Sequence, residues 1–447
     1  MITLREVRFE ETTIPLCRPF GFGVATLHSL THLKLLARFT VRGEPAGGLT
    51  SGERTVTGIA GENLVPRWFV KDASISLDED IDRLRQAIHR TAARAVDRAA
   101  PTPFAFWWSL YQSEAANNPA QPGLVTQLAV SLIERAAIDA WCGCHGMTFA
   151  AAVRNASLGV CAEQVHPALA GMSPAEAIPA VPRGTLPVRH TVGLADDIGL
   201  IPTALERTGI SRLKIKLGGD PAADVARIIE IMRSATGRIE RITLDGNENY
   251  ATIAALEDFL DRLAATPEAA PAAAALAWIE QPLHRSVSLS PELRSMFDRR
   301  PKLTMLLDES DASPADLPHA LDLGYAGTTH KNCKGVFKTI LAAMLLKQRS
   351  RAGRRLLLSG EDLTIVAPWA QAQDLAVAAA VGVVDIERNG QAFADGLQAF
   401  SLVDQGGALD RYGSLYRATS SGVELAIEAG SVDVTGSNLC AFGCWGC

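Results

Sequence analysis

The chain has 447 residues, a formal net charge of −6 at pH 7 and a sequence pI near 5.9. A chain of this length exceeds one compact core and predicts about two domains. Its acidic balance argues against a nucleic-acid surface or an anionic membrane as a partner. Because no apolar stretch reaches about 18 residues and the first residues lack a basic-then-apolar signal peptide, we expect a cytoplasmic protein without a membrane span.

Eight cysteines in so long a chain are too sparse for a disulfide scaffold and fit a reducing compartment. Cys440, Cys444 and Cys447 are closely spaced at the end of the sequence. Three cysteines without a nearby histidine make an incomplete zinc set. We therefore expect buried thiols or a loosely ordered tail there, and not a structural metal.

Antiparallel strands are predicted in the first part of the chain, at residues 7–16, 32–41 and 46–53. Between the first two strands, residues 18–23 form a glycine-rich loop that carries Phe20 and Phe22. A flexible loop with an apolar tip is typical of a lid over a site, and an ordinary surface turn is the alternative. Helices are predicted next, at residues 78–84 and 127–140, where apolar residues recur at i, i+3 and i+4.

After a proline- and alanine-rich connection at residues 173–186, the chain alternates strands and helices. The predicted strands are 188–192, 212–217, 241–245, 276–280, 303–308, 327–331, 356–359 and 383–387, and the predicted helices are 222–234, 253–263, 314–323, 337–348 and 370–381. This rhythm predicts a βα barrel with its active site at the C-terminal ends of the strands. An open doubly wound sheet is the alternative, but no glycine-rich phosphate loop follows the first strand. A strand-like stretch at 422–428 and the tail are expected to return to the first domain.

Polar side chains end five of these strands, about one βα unit apart. They are Lys214 and Lys216, Asp245 and Asn247, Glu280, Asp308 and Glu309, and Lys331 with Lys334. A cluster of carboxylates suits a hard cation such as Mg²⁺, and the flanking lysines suit proton transfer. For any single carboxylate, a helix cap or a surface salt bridge is the ordinary alternative.

Strand alternation sharpens some of these predictions. Lys214 and Lys216 face the same way, so mutual repulsion should lower the pKa of one of them; a solvated edge strand would have the same spacing. Only one of Asp308 and Glu309 can face the cavity on a regular strand, although a bulge would change that. His330 should lie behind the barrel, and Lys334 in the following loop or at the start of the next helix.

Together and in this order, the motifs resemble the enolase superfamily in its muconate-lactonizing-enzyme-like branch, the mandelate racemase/muconate lactonizing enzyme family. The likeness lies in Lys-x-Lys, Asp-x-Asn, Trp-Ile-Glu-Gln-Pro, Asp-Glu-Ser and a final lysine on successive strands. It implies a (β/α)₇β TIM-like barrel at residues 184–397, an α+β capping domain at 1–183, and a C-terminal segment at 398–447 that returns to the cap. The chain departs from the family in having Lys334-Gly335-Val336 where a Gly-Gly pair is usual, and in a longer connection before the barrel.

By this resemblance the cofactor is Mg²⁺, with Asp245, Glu280 and Asp308 as its ligands. Lys216 and Lys331 would be the acid/base catalysts. We add Lys214, on the same face of its strand as Lys216, as a further catalytic candidate. Residues expected to contact substrate are Asn247, Glu309, Glu361, Phe20 and Phe22.

The chemistry that the resemblance implies is removal of the α-proton of a small carboxylate substrate to give an enediolate. Two lysines on opposite sides of the barrel mouth favour a racemase or epimerase. A dehydratase or cycloisomerase would use the same intermediate with one active acid/base group, and a non-catalytic Mg²⁺-binding barrel is a further alternative. Arg18 and Arg54 are candidates to pair with a second anionic group of the substrate, and we expect a homo-oligomer.

Overall fold

A computed structural model describes residues 1–22, 25–43, 52–350 and 356–442. The strands in these residues are β1 (Ile2–Phe22), β2 (Ala25–Gly43), β3 (Gly52–Asn63), β4 (Ala99–Ala100), β5 (Thr185–Val192), β6 (Arg212–Lys216), β7 (Arg241–Asp245), β8 (Leu276–Glu280), β9 (Met305–Leu307), β10 (Gly327–His330), β11 (Leu357–Gly360), β12 (Ile386–Glu387), β13 (Tyr416–Thr419), β14 (Gly422–Leu425) and β15 (Ser431–Asp433).

The helices in the same residues are α1 (Leu77–Ala95), α2 (Pro103–Asn117), α3 (Gly123–His145), α4 (Phe149–Arg154), α5 (Pro174–Ala177), α6 (Ile201–Thr208), α7 (Pro221–Ser234), α8 (Ile253–Ala265), α9 (Ala270–Ala275), α10 (Leu293–Arg299), α11 (Asp316–Leu323), α12 (Val336–Ser350), α13 (Pro368–Val381), α14 (Gly390–Phe393), α15 (Leu402–Tyr412) and α16 (Thr435–Leu439). None of the helices described has both the length and the apolar character needed to cross a bilayer.

The N-terminal region is an antiparallel sheet, in the order β3-β2-β1-β4, covered by α1 to α3. The first two predicted strands are correct but longer than expected. Of the third predicted strand, residues 52 and 53 lie in β3, which continues to Asn63, and residues 46–51 lie outside the described residues. Helix α3 packs closely against β3, since a Cβ at Gly58 would lie 1.9 Å from the carbonyl oxygen of Ala136.

The glycine-rich segment is the end of a β-hairpin and not a separate loop. Phe20 pairs with Leu27 and Gly21 with Thr26, so the β1–β2 ladder continues past the predicted end of the first strand. Residues 23 and 24, and the side chain of Phe22, lie outside the described part of the chain.

Eight parallel strands close into the predicted barrel. They follow chain order from β5 to β12, and β12 pairs back with β5 through Ile386 and Val188. All eight predicted strands and the intervening helices are confirmed, with shifts of a few residues at their ends. The fold is therefore a (β/α)₇β barrel joined to an N-terminal α+β region.

The C-terminal segment contacts both parts of the molecule. Phe442 stacks on Phe149 of the N-terminal region, with ring centroids 4.6 Å apart. β15, however, pairs antiparallel with the first residues of β5, between Val432 and Leu186. This is the end of the barrel opposite the mouth, where the sequence did not place the segment. Cys444 and Cys447 lie outside the described residues.

The interior of the barrel is charged. Arg189 of β5 has a fully buried side chain, which donates to Glu361 and Thr243 and lies 2.8 Å from Oδ1 of Asp385. Its guanidinium also lies 5.2 Å from the ring centre of Trp278. One cation thus joins strands on opposite sides of the barrel, and burying it requires these counter-charges.

We expect Arg189→Met to lower the free energy of unfolding by about 3–5 kcal/mol, because breaking a buried ion pair leaves carboxylates without their counter-charge. Urea unfolding followed by far-UV circular dichroism measures the effect. The control is Arg417→Met, which removes an exposed pair with Glu424 and should change stability by less than about 1 kcal/mol. Equal losses in the two variants would contradict the assigned role of Arg189.

Candidate active site

The register of the barrel strands brings three of the predicted side chains into one row. Lys216, Asp245 and Glu280 are Cα partners across β6, β7 and β8. Each residue is at most 8% exposed. Asp308 follows β9 and Lys331 follows β10, so the row continues around the C-terminal end of the barrel. The predicted convergence of the strand ends is therefore present.

The two lysines of β6 point into the barrel, as their spacing predicted. Lys216 donates to Oδ2 of Asp245 and to Oδ1 of Asn247, each at 2.6 Å. Lys214 lies deeper, and its Nζ is 2.6 Å from Oε2 of Glu361 and 3.0 Å from Oε2 of Glu387. Lys214 is therefore held inside a ring of carboxylates.

For Lys214 the pKa shift is opposite to the lowering that repulsion between the two lysines would cause. Burial disfavours the charged form of Lys214, but the surrounding carboxylates, first Asp245 and then Glu280, outweigh burial and hold its pKa well above the usual value. The same balance raises the pKa of Lys331, where Asp308 is the main counter-charge. The sequence shows that the lysines share a face, but only the assembled barrel shows how many carboxylates share it with them.

Glu280 differs from Asp245 and Asp308 in its hydrogen bonding, although its Oε2 lies 2.9 Å from Nζ of Lys214. It is fully buried, and neither of its oxygens has a hydrogen-bond partner among the described residues. Burial raises its pKa well above the usual value, with repulsion from Asp245 adding to the effect. A buried carboxylate in this position needs a cation.

The three carboxylates fit Mg²⁺ in their chemistry, since they are oxygen donors on adjacent strand ends. In the part of the chain that is described, however, no three acidic, histidine or cysteine side chains are grouped closely enough to hold a metal. The ammonium group of Lys214 stands between two of them, 2.9 Å from both Asp245 and Glu280. Bound Mg²⁺ would therefore compete with this ammonium for the same oxygens.

Asp308 and Glu309 both reach the site, which corrects the expectation that strand alternation would exclude one of them. β9 ends at Leu307, so neither residue is held to the alternation of a strand. Asp308 accepts hydrogen bonds from Lys331 and Thr329. Glu309 accepts from Nδ2 of Asn247 at 3.0 Å, and burial with the repulsion of Asp308 raises its pKa to about 7.

His330 points to the outside of the barrel, as its position in the strand predicted. It contacts Oγ1 of Thr339 at 2.9 Å, on the outer side of the barrel strands. Lys334 lies in a 3₁₀ turn directly before α12, in agreement with a loop or helix start, and it is buried, with Nζ 2.9 Å from Thr329 Oγ1 and 3.3 Å from the carbonyl oxygen of Asp308. Its buried position has no signal in the local sequence.

A segment after β3 closes the mouth of the barrel and was not singled out from the sequence. Nζ of Lys331 lies 4.7 Å from the ring centre of Trp68. Arg285 holds this segment by donating to the carbonyl oxygens of Trp68 and Phe69, each at 3.1 Å, and also binds Glu248. The cap therefore places an aromatic ring over one of the predicted catalytic lysines.

A small cavity lies at this mouth, between the ends of the barrel strands and the cap. Phe20 lines it, as the sequence predicted, and packs on Phe393 with ring centroids 4.5 Å apart. The lining residues are Phe20, Val65, Trp68, Lys214, Lys216, Asp245, Asn247, Lys331, Asp362, Leu363, Thr364, Glu387 and Asn389.

Three residues predicted to meet the substrate have other contacts. Glu361 is fully buried and accepts from Arg189 and Lys214, so it balances charge beneath the cavity. Arg18 donates to the carbonyl oxygen of Ala392, and the exposed Arg54 lies near the carbonyl oxygen of Cys144. Their contacts place Glu361 and Arg54 away from the cavity lining.

Comparison with known proteins supports this architecture. The family model of the enolase C-terminal domain-like proteins matches residues 200–389. No curated protein sequence matches the chain.

Three solved structures illustrate the fold. A mandelate racemase/muconate lactonizing protein from Herpetosiphon aurantiacus has a TM-score of 0.63 at 18% identity, with 97% of each chain covered. The L-Ala-D/L-Glu epimerase from Bacillus subtilis has a TM-score of 0.60 at 16% identity, covering 96% of this chain and 98% of that one. An enolase from Bradyrhizobium, complexed with magnesium and mandelic acid, has a TM-score of 0.58 at 16% identity, covering 96% and 93%.

At these identities the structural likeness establishes the fold, while the family match covers the strand ends from β6 to β12 that carry the site. The matched residues are also those in which the sequence motifs occur in family order. Residues 200–389 therefore belong to the enolase C-terminal domain-like family, and the chain as a whole shares the fold of the mandelate racemase/muconate lactonizing protein.

Proposed function

We propose that this protein is a Mg²⁺-dependent racemase or epimerase that acts on the α-carbon of a small carboxylate substrate. The observation that carries the proposal is the placement of Lys216 and Lys331. Lys216 binds Asp245 and Lys331 binds Asp308, while the carboxylate of Glu280, which has no hydrogen-bond partner in the described residues, lies between these two positions on the intervening strand β8. Two proton carriers therefore approach one carboxylate cluster from two directions.

The metal would be held by Asp245, Glu280 and Asp308. When bound, Mg²⁺ would supply positive charge to the substrate carboxylate as the α-proton leaves. A neighbour of similar fold that contains magnesium, the Bradyrhizobium enolase, supports this choice of ion.

The lysines would do the proton transfer. One lysine amine takes the α-proton, and the electron pair of the C–H bond moves into the carboxylate to give the enediolate. The second lysine returns a proton to the opposite face of the same carbon, which inverts its configuration. Asn247, which binds both Lys216 and Glu309, would orient the first lysine.

The cap would keep water from the reacting carbon. Trp68 covers Lys331, and Phe20 lines the same cavity. Excluding water matters because an enediolate would otherwise take its proton from solvent.

We expect Asp308→Asn to weaken Mg²⁺ binding by about tenfold or more, because it removes a charged oxygen donor. Glu309→Gln is the matched control, since it changes an adjacent buried carboxylate that binds Asn247, and it should weaken binding much less. Isothermal titration calorimetry with Mg²⁺ measures both. A larger loss in Glu309→Gln would reverse the assignment of the two residues.

We expect Lys331→Met to reduce exchange of the α-proton with D₂O by about 10²–10⁴-fold for one enantiomer of a substrate, and much less for the other. Lys216→Met should show the opposite preference, because each lysine serves one face. Proton NMR of both enantiomers with Mg²⁺ present gives the rates.

Lys338→Met is the control for this pair, since Lys338 is also a buried lysine but pairs with Asp311 outside the cavity. It should leave the enantiomer preference unchanged. Equal loss for both enantiomers in Lys331→Met, with Lys216→Met behaving alike, would favour elimination or cycloisomerisation over racemisation.

A further inference from the structure

Two residues that line the cavity carry oxygens without a hydrogen-bond partner in the described part of the chain. They are Oδ2 of Asp362 and Oδ1 of Asn389. The residues are 4% and 5% exposed, and they follow the neighbouring strands β11 and β12. Buried acceptors without donors are costly, so this wall of the cavity is short of donor groups.

The other polar atoms of both side chains are already engaged. Nδ2 of Asn389 donates to Oε1 of Glu387 at 2.6 Å, which fixes the amide so that its oxygen faces away from that carboxylate. Oδ1 of Asp362 accepts from the backbone N–H of Thr364. Each side chain is therefore held in place, and one oxygen of each has no hydrogen-bond donor in the described residues.

The charge of Asp362 is only partly balanced. Arg388 is the nearest cation, with Nη1 3.6 Å from Oδ2 of Asp362, but it donates at 2.6 Å to Asp374 instead. Glu387, on the same wall, is paired with Lys214 at 3.0 Å. Burial raises the pKa of Asp362 to about 7, against the lowering effect of Arg388. A cationic donor would balance this charge better than a neutral one.

The backbone beside Asp362 is strained, which is common at binding sites. Thr364 has φ +61°, a left-handed conformation that β-branched residues rarely adopt. Asn63 of the N-terminal region holds it by donating to the carbonyl oxygens of Thr364 at 2.8 Å and Leu363 at 3.2 Å. The cap thus fixes the segment that carries Asp362.

We propose that Asp362 and Asn389 form a subsite for a positively charged nitrogen group of the substrate. The substrate is then a carboxylate that also carries an ammonium group. The inference rests on the proposed function, which places the carboxylate end of the substrate at Asp245, Glu280 and Asp308. Phe20 and Trp68, which line the same cavity, would contact the apolar chain between the two ends.

The test uses the full chain with Mg²⁺ and sets of carboxylic acids that differ in one substituent, an ammonium, a hydroxyl or a methyl group at the same carbon. Exchange of the α-proton with D₂O gives kcat/KM for each acid. We expect the ammonium acid to exceed its methyl analogue by about tenfold or more, as for hydrogen bonds to charged groups. This comparison needs no variant and so does not depend on the folding of one.

Asp362→Asn should remove most of the preference for the ammonium acid by raising its KM. The kcat/KM for the methyl acid should change little. The matched control is Asp139→Asn, which alters another buried aspartate that has an oxygen without a hydrogen-bond partner among the described residues and that does not line the cavity. It should keep the preference of the unmodified chain.

The outcomes separate the subsite from the reaction. Exchange with no preference for the ammonium acid, or a preference that survives Asp362→Asn, would overturn the subsite and leave the proposed reaction standing. Equal rates for the hydroxyl and ammonium acids would show that the subsite does not prefer a cation, which would overturn that part of the proposal. If none of the acids exchanges, the proposed reaction fails, and calorimetric affinities for the same acids decide the subsite by the same tenfold criterion.

Discussion

The barrel depends on the balance of buried charge along its axis. Arg189 and Lys214 occupy the interior at successive levels, and each is surrounded by carboxylates from strands on several sides. In most barrels of this type branched aliphatic side chains fill this space. Here the contacts that pack the barrel interior are also the ion pairs that set the electrostatics of the site. A substitution that alters one therefore alters the other.

This arrangement explains why the site lies where it does. Charges at the bottom of the barrel are paired within the protein, as Asp385 is by Arg189 and Arg241. Towards the mouth the pairing becomes incomplete, and Glu280 is the first carboxylate whose oxygens have no hydrogen-bond partner in the described residues. A buried carboxylate without a hydrogen bond at the open end of a charged core is one that a bound metal can satisfy.

The N-terminal region completes the site from above, and it does so with main-chain contacts. Arg285 binds carbonyl oxygens of the segment that carries Trp68, and Asn63 binds carbonyl oxygens beside Asp362. Side chains from one domain thus fix the backbone of the other. Both ends of the cavity are shaped at this junction, which is how one barrel can serve different substrates when its cap differs.

The sequence by itself determined the barrel, its strand order and the residues at the strand ends. Each of those features depends on local alternation and on the fixed spacing of βα units, as in Lys214 and Lys216 or Asp245 and Asn247. Tertiary structure decided the rest. The pKa direction of Lys214, the burial of Lys334, the ring of Trp68 over Lys331 and the open oxygens of Asp362 and Asn389 all depend on groups distant in sequence. Electrostatic energy and burial are set by neighbours in space, and a one-dimensional pattern contains no record of which neighbours those are.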